Sequence, residues 1–313
     1  MNELDNPVPA ENGGMAEPEA LASPKKDWPQ VRVVLIAQFA LFVLCISVYQ
    51  VIGMLAGWAD NPALTAEATS AERWNTRLQL GLGHLLGFGV AGFLTVWLFY
   101  RNNSGKRPGW QDYLGVRRLP GLQTVFLAIM MMAVSLPLVL FLLNINQMIP
   151  LPDFLKSAED QAEEAIKGLL IMDNSAELLA NLFIIALLPA IGEELVFRGV
   201  VQQQLMRRIA NPWVALLVSA AVFSFVHFQF EGFLSRMLLG LILGWLYWRT
   251  RNFWVPAIAH FFNNGLQVAG QYFYSKDIST IDLEQDIQVP WFAALLSTIL
   301  ILVTVRLFRE SDK

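Results

Sequence analysis

The chain has 313 residues, of which 55% are hydrophobic and only 15% charged, with a mean hydropathy of +0.45. A soluble domain carries about 25% charged residues, so this composition describes an integral membrane protein. The net charge of −4 comes with no basic face or aromatic-basic interleaving, which argues against a nucleic-acid partner; the single cysteine, Cys45, excludes an intrachain disulfide and a Cys-rich metal site.

Residues 1–30 are rich in Pro, Glu, Ala, Asn and Gly and contain no apolar core of a signal peptide. A disordered cytoplasmic tail is expected there, followed by a membrane-embedded helical domain over 31–313. Crossing the hydrocarbon takes about 20 mostly apolar residues. In chain order the stretches that qualify are 31–57, 76–100, 122–144, 176–209, 213–229, 233–248, 253–272 and 291–307. The expected fold is all-α, a polytopic membrane helix bundle of about eight transmembrane helices. The fourth stretch is too long for a simple span, and its end, from Gln202 to Arg208, is expected to project into the cytoplasm. The fifth and sixth are short and joined tightly near Glu231 and Gly232.

The connections alternate in charge. Lys25, Lys26 and Arg32, then Arg101, Lys106, Arg107, Arg117 and Arg118, then Arg207 and Arg208, then Arg249 and Arg251, and finally Arg306, Arg309 and Lys313 mark one side. The loops between them are acidic. Basic loops face the cytoplasm, so both termini are expected to be cytoplasmic. Within one acidic connection, Phe154, Ala158, Ala162, Ile166 and Leu169 recur at helical spacing, which predicts an amphipathic helix over Asp153–Leu170 on the outer membrane surface. Gly83-x-x-x-Gly87 and Gly240-x-x-x-Gly244 predict close helix packing.

Glu193, Glu194 and Arg198 interrupt one of the most apolar runs in the chain. A charge in a membrane helix costs roughly 2.5–3.5 kcal/mol on insertion scales, so such residues mark a functional site by default. His227, His260 and Asn264 follow in later apolar stretches. Counting along each helix from its basic end puts Glu193 and His227 about 21 Å in, and His260 and Asn264 about 13 and 20 Å in. The four groups therefore share one layer, and His260 and Asn264 share one helix face. Glu194 and Arg198, four apart, predict a structural ion pair that leaves Glu193 as the free carboxylate. His84, with no second polar group near it in sequence, reads as a hydrogen-bonded packing histidine.

A carboxylate in a low-dielectric cavity can serve as a base, a neighbouring imidazole can share its water, and a second imidazole and an amide can stabilise an oxyanion. Those are parts for hydrolysing an amide bond. No Gly-x-Ser-x-Gly elbow surrounds Ser219, Ser224 or Ser235. Two readings stay open: water activation with no cofactor required, and a zinc site of His227, His260 and Glu193, although no His-Glu-x-x-His motif is present.

Glu193-Glu194-x-x-x-Arg198, Phe223-x-x-x-His227 and His260-x-x-x-Asn264, in this order on successive apolar segments, resemble the motifs of the CAAX protease and bacteriocin-processing enzyme family of intramembrane proteases. The resemblance covers about residues 175–275. It implies an intramembrane endopeptidase acting on a membrane-associated protein or peptide, within the bilayer. Glu193 and His227 would activate water, His260 and Asn264 would stabilise the oxyanion, and Glu194 and Arg198 would hold the site together. The tail and loop lengths resemble a bacterial member, which implies the inner membrane and not a prenylated substrate. The rival expectations are a non-catalytic immunity or scaffold protein, and a proton- or ion-coupled transporter. The absence of an evident inverted repeat of broken helices counts against the transporter.

Overall fold

The computed structural model describes residues 28–58, 64–65, 67–101, 108–275 and 288–310; nearly all of the expected tail, 1–30, lies outside them. The described residues form ten helices and no strand: α1 (Val31–Leu55), α2 (Ser70–Tyr100), α3 (Trp110–Leu114), α4 (Leu122–Gln147), α5 (Asp153–Leu170), α6 (Ser175–Arg208), α7 (Pro212–Phe225), α8 (Phe233–Thr250), α9 (Trp254–Ser275) and α10 (Trp291–Glu310). Five of them, α1, α2, α4, α6 and the first part of α10, are long and apolar enough to cross a membrane. The outer surface is apolar: Phe39, Leu55, Phe126 and Leu302 are all exposed. The interior holds Arg77, Glu177, Glu194, Arg198, Gln202 and Gln204. Apolar residues outside and hydrogen-bonded polar residues inside suit a solvent that cannot itself hydrogen-bond. The molecule is a helical membrane bundle.

Local chemistry sets the helix starts. Thr69 and Glu72 form a reciprocal capping box that begins α2 six residues before the expected apolar stretch. Asn174 caps α6 through the amides of Ala176 and Glu177, and Asn211 caps α7 through those of Trp213 and Val214. The expected fifth span, 213–229, is cut short: α7 ends at Phe225, and Phe228 takes a left-handed φ of 53°, which a helix cannot contain. His227 therefore sits in a loop.

The helix α6 is central and packs against α1, α2, α7, α8 and α9. It runs parallel to α2, as two spans separated by one return must. Glycines let the pair meet at backbone distance. A Cβ on Gly192 would lie 3.0 Å from Phe88 Cβ and 3.1 Å from the Gly89 nitrogen, and one on Gly92 would lie 3.0 Å from Val196. The two expected packing motifs do pack: Gly83 and Gly87 face Tyr49 and Ile46 of α1, and Gly240 and Gly244 face Ala220 and Leu216 of α7.

An ion cluster, buried at Arg73, Arg77 and Glu177 and open at Asp173, joins the beginnings of these parallel helices. Arg73 pairs with Asp173, and Glu177 Oε2 lies 3.7 Å from Arg73 Nη2 and 3.5 Å from Arg77 Nη2. Arg77 donates from Nε to Asn181 Oδ1 (2.8 Å) and from Nη2 to the Leu169 carbonyl (3.1 Å). Ser70 donates to Glu177 Oε1 at 2.8 Å.

Candidate active site

Further along α6, Glu193, Glu194 and Arg198 turn into the bundle, at 4%, 0% and 1% exposure. Arg198 Nε meets Glu194 Oε2 at 2.9 Å across one helical turn. Arg198 also donates to the Gly240 carbonyl of α8 (3.3 Å) and lies 4.9 Å from the centroid of the Phe223 ring of α7. The other oxygen of Glu194 accepts from His260 Nδ1 at 2.9 Å. Glu194 is thus engaged on both oxygens, with Arg198 and with α9.

Among the described residues Glu193 has no such direct partner. Its Oε2 lies 3.8 Å from His227 Nε2 and 3.9 Å from His260 Nε2, and its Oε1 lies 4.0 Å from His84 Nδ1. All three separations exceed a hydrogen bond. They suit a bridging water, because two legs of about 2.8 Å at a bent angle span about 4–4.5 Å. All three histidines of the chain therefore surround one carboxylate. His260 is buried, whereas the side chains of His84 and His227 are 23% and 26% exposed, so the cluster is reached from their edge.

The tautomers follow from the partners. His227 Nδ1 sits 2.8 Å from the Phe223 carbonyl, and a carbonyl only accepts, so Nδ1 carries the hydrogen. His260 Nδ1 likewise donates to Glu194. In their neutral forms both rings turn the Nε2 lone pair toward Glu193. A water between Glu193 and His227 can then give both protons inward and present its own lone pair outward. A protonated His260, backed by Glu194, can donate from Nε2 to developing negative charge.

The Phe-x-x-x-His spacing acquires a physical meaning. The Phe223 carbonyl orients His227, its ring lies under Arg198, and its edge contacts reach His227, His260 and Phe197 at centroid distances of 5.0, 6.1 and 5.0 Å. The loop after His227 is held from two other helices. Asn146 of α4 donates to the Phe230 carbonyl (2.7 Å) and accepts from the Leu234 amide (2.8 Å). Glu159 of α5 accepts from the amides of Phe230 and Glu231. Lys156 joins Glu231 at 2.8 Å and Asp160 at 3.1 Å, and hydrogen bonds to these two carboxylates raise its pKa. The helix over Asp153–Leu170 forms as its spacing predicts, but Glu159 of its polar face is buried on the loop while Phe154 and Ile166 of its apolar stripe stay exposed.

Asn264, one turn beyond His260, accepts from Asn263 Nδ2 (3.1 Å) and donates to the Ile185 carbonyl of α6 (3.4 Å). The structure thus brings Glu193, His227 and His260 together, adds His84, and ties Asn264 to the α6 backbone. Among the described residues, no group of three or more His, Cys, Asp or Glu side chains stands at a spacing that would hold a metal ion.

Within this helical membrane bundle a buried carboxylate is ringed by three imidazoles. Residues 175–266 match the family model described as Type II CAAX prenyl endopeptidase Rce1-like, so the family resemblance carried by the three motifs holds over this segment. The chain is also 32% identical over 84 residues to "UPF0177 protein YxdF" of Lactococcus lactis, covering 26% of this chain and 45% of that protein. It is 24% identical over 193 residues to "Putative membrane peptidase YdiL" of Bacillus subtilis, covering 61% of this chain and 72% of that one. The chain thus spans less than half the length of the first relative. No solved structure matches. These likenesses are to proteins described as a CAAX prenyl endopeptidase family and a putative membrane peptidase, and the family match falls on the segment that carries the three motifs.

Two contributors, His84 and Glu159, were not legible as such in the sequence, and neither were the contacts of Phe223. His84 lies 109 positions from Glu193, Glu159 looks like one of many surface acids, and Phe223 looks like one of 21 phenylalanines. Only the Phe223 spacing to His227 carried a signal.

Proposed function

We propose that the protein is an intramembrane endopeptidase that hydrolyses a peptide bond of a membrane-associated protein or peptide, with Glu193 and His227 activating a water. The observation that carries this reading is the one-water spacing of Glu193 Oε2 from two imidazole Nε2 atoms, in a bundle where the adjacent Glu194 is fully engaged. The water gives one proton to Glu193 and attacks the carbonyl carbon. His260, doubly protonated with Nδ1–H on Glu194, donates from Nε2 to the resulting oxyanion, and a small shift of Asn264 away from the Ile185 carbonyl adds its amide. The proton on Glu193 then passes to the leaving amine, so base and acid are one residue in turn. Glu194 and Arg198 hold α6 to its neighbours.

The reading extends to eight spans, cytoplasmic termini and a bacterial inner-membrane location, with α5 lying along the outer surface through Phe154 and Ile166. No metal is needed for these steps. The test uses purified protein in liposomes with a library of membrane-associated peptides, among them prenylated and unprenylated forms, and mass spectrometry of new termini. The expected result is cleavage that survives exhaustive chelation, with zinc well below one per chain. Cleavage lost on chelation and regained with zinc would transfer the reaction to a metal centre, and no cleavage of any peptide would favour a non-catalytic scaffold.

A further inference from the structure

We propose that His84 is a positioning residue for Glu193: through one water it fixes Glu193 Oε1, so that Oε2 faces His227 and His260. The inference rests on the reading of Glu193 as the water-activating base. His84 reaches Glu193 because glycines bring α2 and α6 together on both sides of it: a Cβ on Gly81 would lie 3.4 Å from the Ile184 side chain, and one on Gly192 would lie 3.0 Å from Phe88 Cβ and 3.1 Å from the Gly89 nitrogen. Immediately after His84 the helix widens into a π-helical segment, Leu85–Val90, a distortion that re-aims side chains and recurs at functional sites. The imidazole is stacked on Phe88 (5.6 Å between centroids, 27° between planes), and Phe88 packs on Phe197 of α6 (6.2 Å). Its orientation is therefore set by both helices.

A histidine present only for packing would bond directly across the helices. His84 Nδ1 is buried and makes no direct hydrogen bond to the described residues, yet it stands 4.0 Å from Glu193 Oε1. The three imidazoles divide the carboxylate between them. Two address Oε2, and His84 alone addresses Oε1. Glu193 has three rotatable side-chain bonds and no direct hydrogen-bond partner among the described residues, so a contact on Oε1 holds the carboxylate with Oε2 toward the reacting water. Misplacement of a catalytic group by about 1 Å costs on the order of 100-fold in rate.

Wild type, H84A and H84Q in liposomes should be compared on an internally quenched peptide built on a cleavage site of the wild-type protein. H84A is expected to lower kcat on the order of 100-fold with KM nearly unchanged, and H84Q, whose amide can hold the same water, to recover much of that loss. A substrate-free measurement accompanies this. Selective 15N-histidine labelling gives ring signals from only three residues, which H84A assigns; E193Q should shift the His84 ring signal. If the wild type cleaves no peptide, the base reading fails, and the spectrum still decides whether His84 and Glu193 interact. Normal kcat in H84A overturns the proposal. So does an unmoved His84 signal in E193Q, and so does a loss in H84A that tracks a lowered unfolding midpoint and is not relieved in H84Q.

Discussion

Two clusters of charge lie buried along the same parallel pair of helices, and they are built in opposite ways. At the beginning of the pair every charge has a direct partner: Arg73 pairs with Asp173, Arg77 donates to Asn181 and the Leu169 carbonyl, and Glu177 accepts from Ser70 (2.8 Å) and the Asp173 amide (3.0 Å). Seven residues further along α2, about 10 Å by helix rise, His84 faces Glu193, whose nearest imidazole nitrogens all stand off at 3.8–4.0 Å. The first cluster spends its charge on holding α2 to α6. The second leaves one carboxylate unclaimed, beside a neighbour, Glu194, that is fully claimed. Burial of charge alone therefore does not distinguish scaffold from chemistry in this bundle. The distance to the partner does, because a gap of one water leaves room for a reactant.

That contrast can be broken by stability measurements. The largest loss is expected from Glu177→Ala, because Glu177 serves two arginines, Ser70 and the Asp173 amide, and its removal leaves Arg77 with neutral partners only; removing one member of a buried pair costs about 3–5 kcal/mol. Folded yield in detergent and the unfolding midpoint would check it, and a wild-type midpoint would remove the scaffold role. Glu194→Ala comes next, toward the lower end of about 3–5 kcal/mol, because Arg198 keeps the Gly240 carbonyl and the Phe223 ring. A well-folded but inactive Glu194→Ala protein would mean that the two glutamates have exchanged roles.

A smaller effect is expected at the edge of the site. Glu159→Gln retains an acceptor for the Phe230 and Glu231 amides but loses its charge, which costs about 1 kcal/mol. Its signature should be local: faster hydrogen exchange over 226–232 and a lower kcat as His227 loosens. Unchanged exchange in that loop would show that α5 does not position His227.

Much of this arrangement was written in local spacing. Residues 194 and 198, and 260 and 264, are each four apart on continuous helix, so helix geometry stacks each pair; 223 and 227 share that spacing, but His227 lies just past the end of α7 and is held there by the Phe223 carbonyl. The apolar runs located the helices for the same reason. What escaped depended on partners distant in sequence. Apolarity set the second stretch to begin at 76, whereas the capping box at Thr69 and the buried partners of Arg73 and Arg77 carry α2 back to Ser70. The run from Val226 to Gln229 reads as continuing helix, yet contacts of Asn146 and Glu159 with the backbone of the residues that follow hold it as a loop. His84 looked isolated because its neighbour lies on a different helix. Asn264 shares a helix face with His260, as its spacing requires, but its amide is engaged by the Ile185 carbonyl.

The most direct test of the account is Glu193→Gln, measured for unfolding midpoint and for peptide cleavage in the same liposomes. An unclaimed carboxylate should be nearly silent in stability and indispensable in chemistry. The expected result is a midpoint close to wild type with cleavage reduced at least about 1,000-fold, within the range for loss of a general base. Near-normal cleavage by folded Glu193→Gln protein would contradict the account, and so would a collapse in stability like that expected of Glu177→Ala.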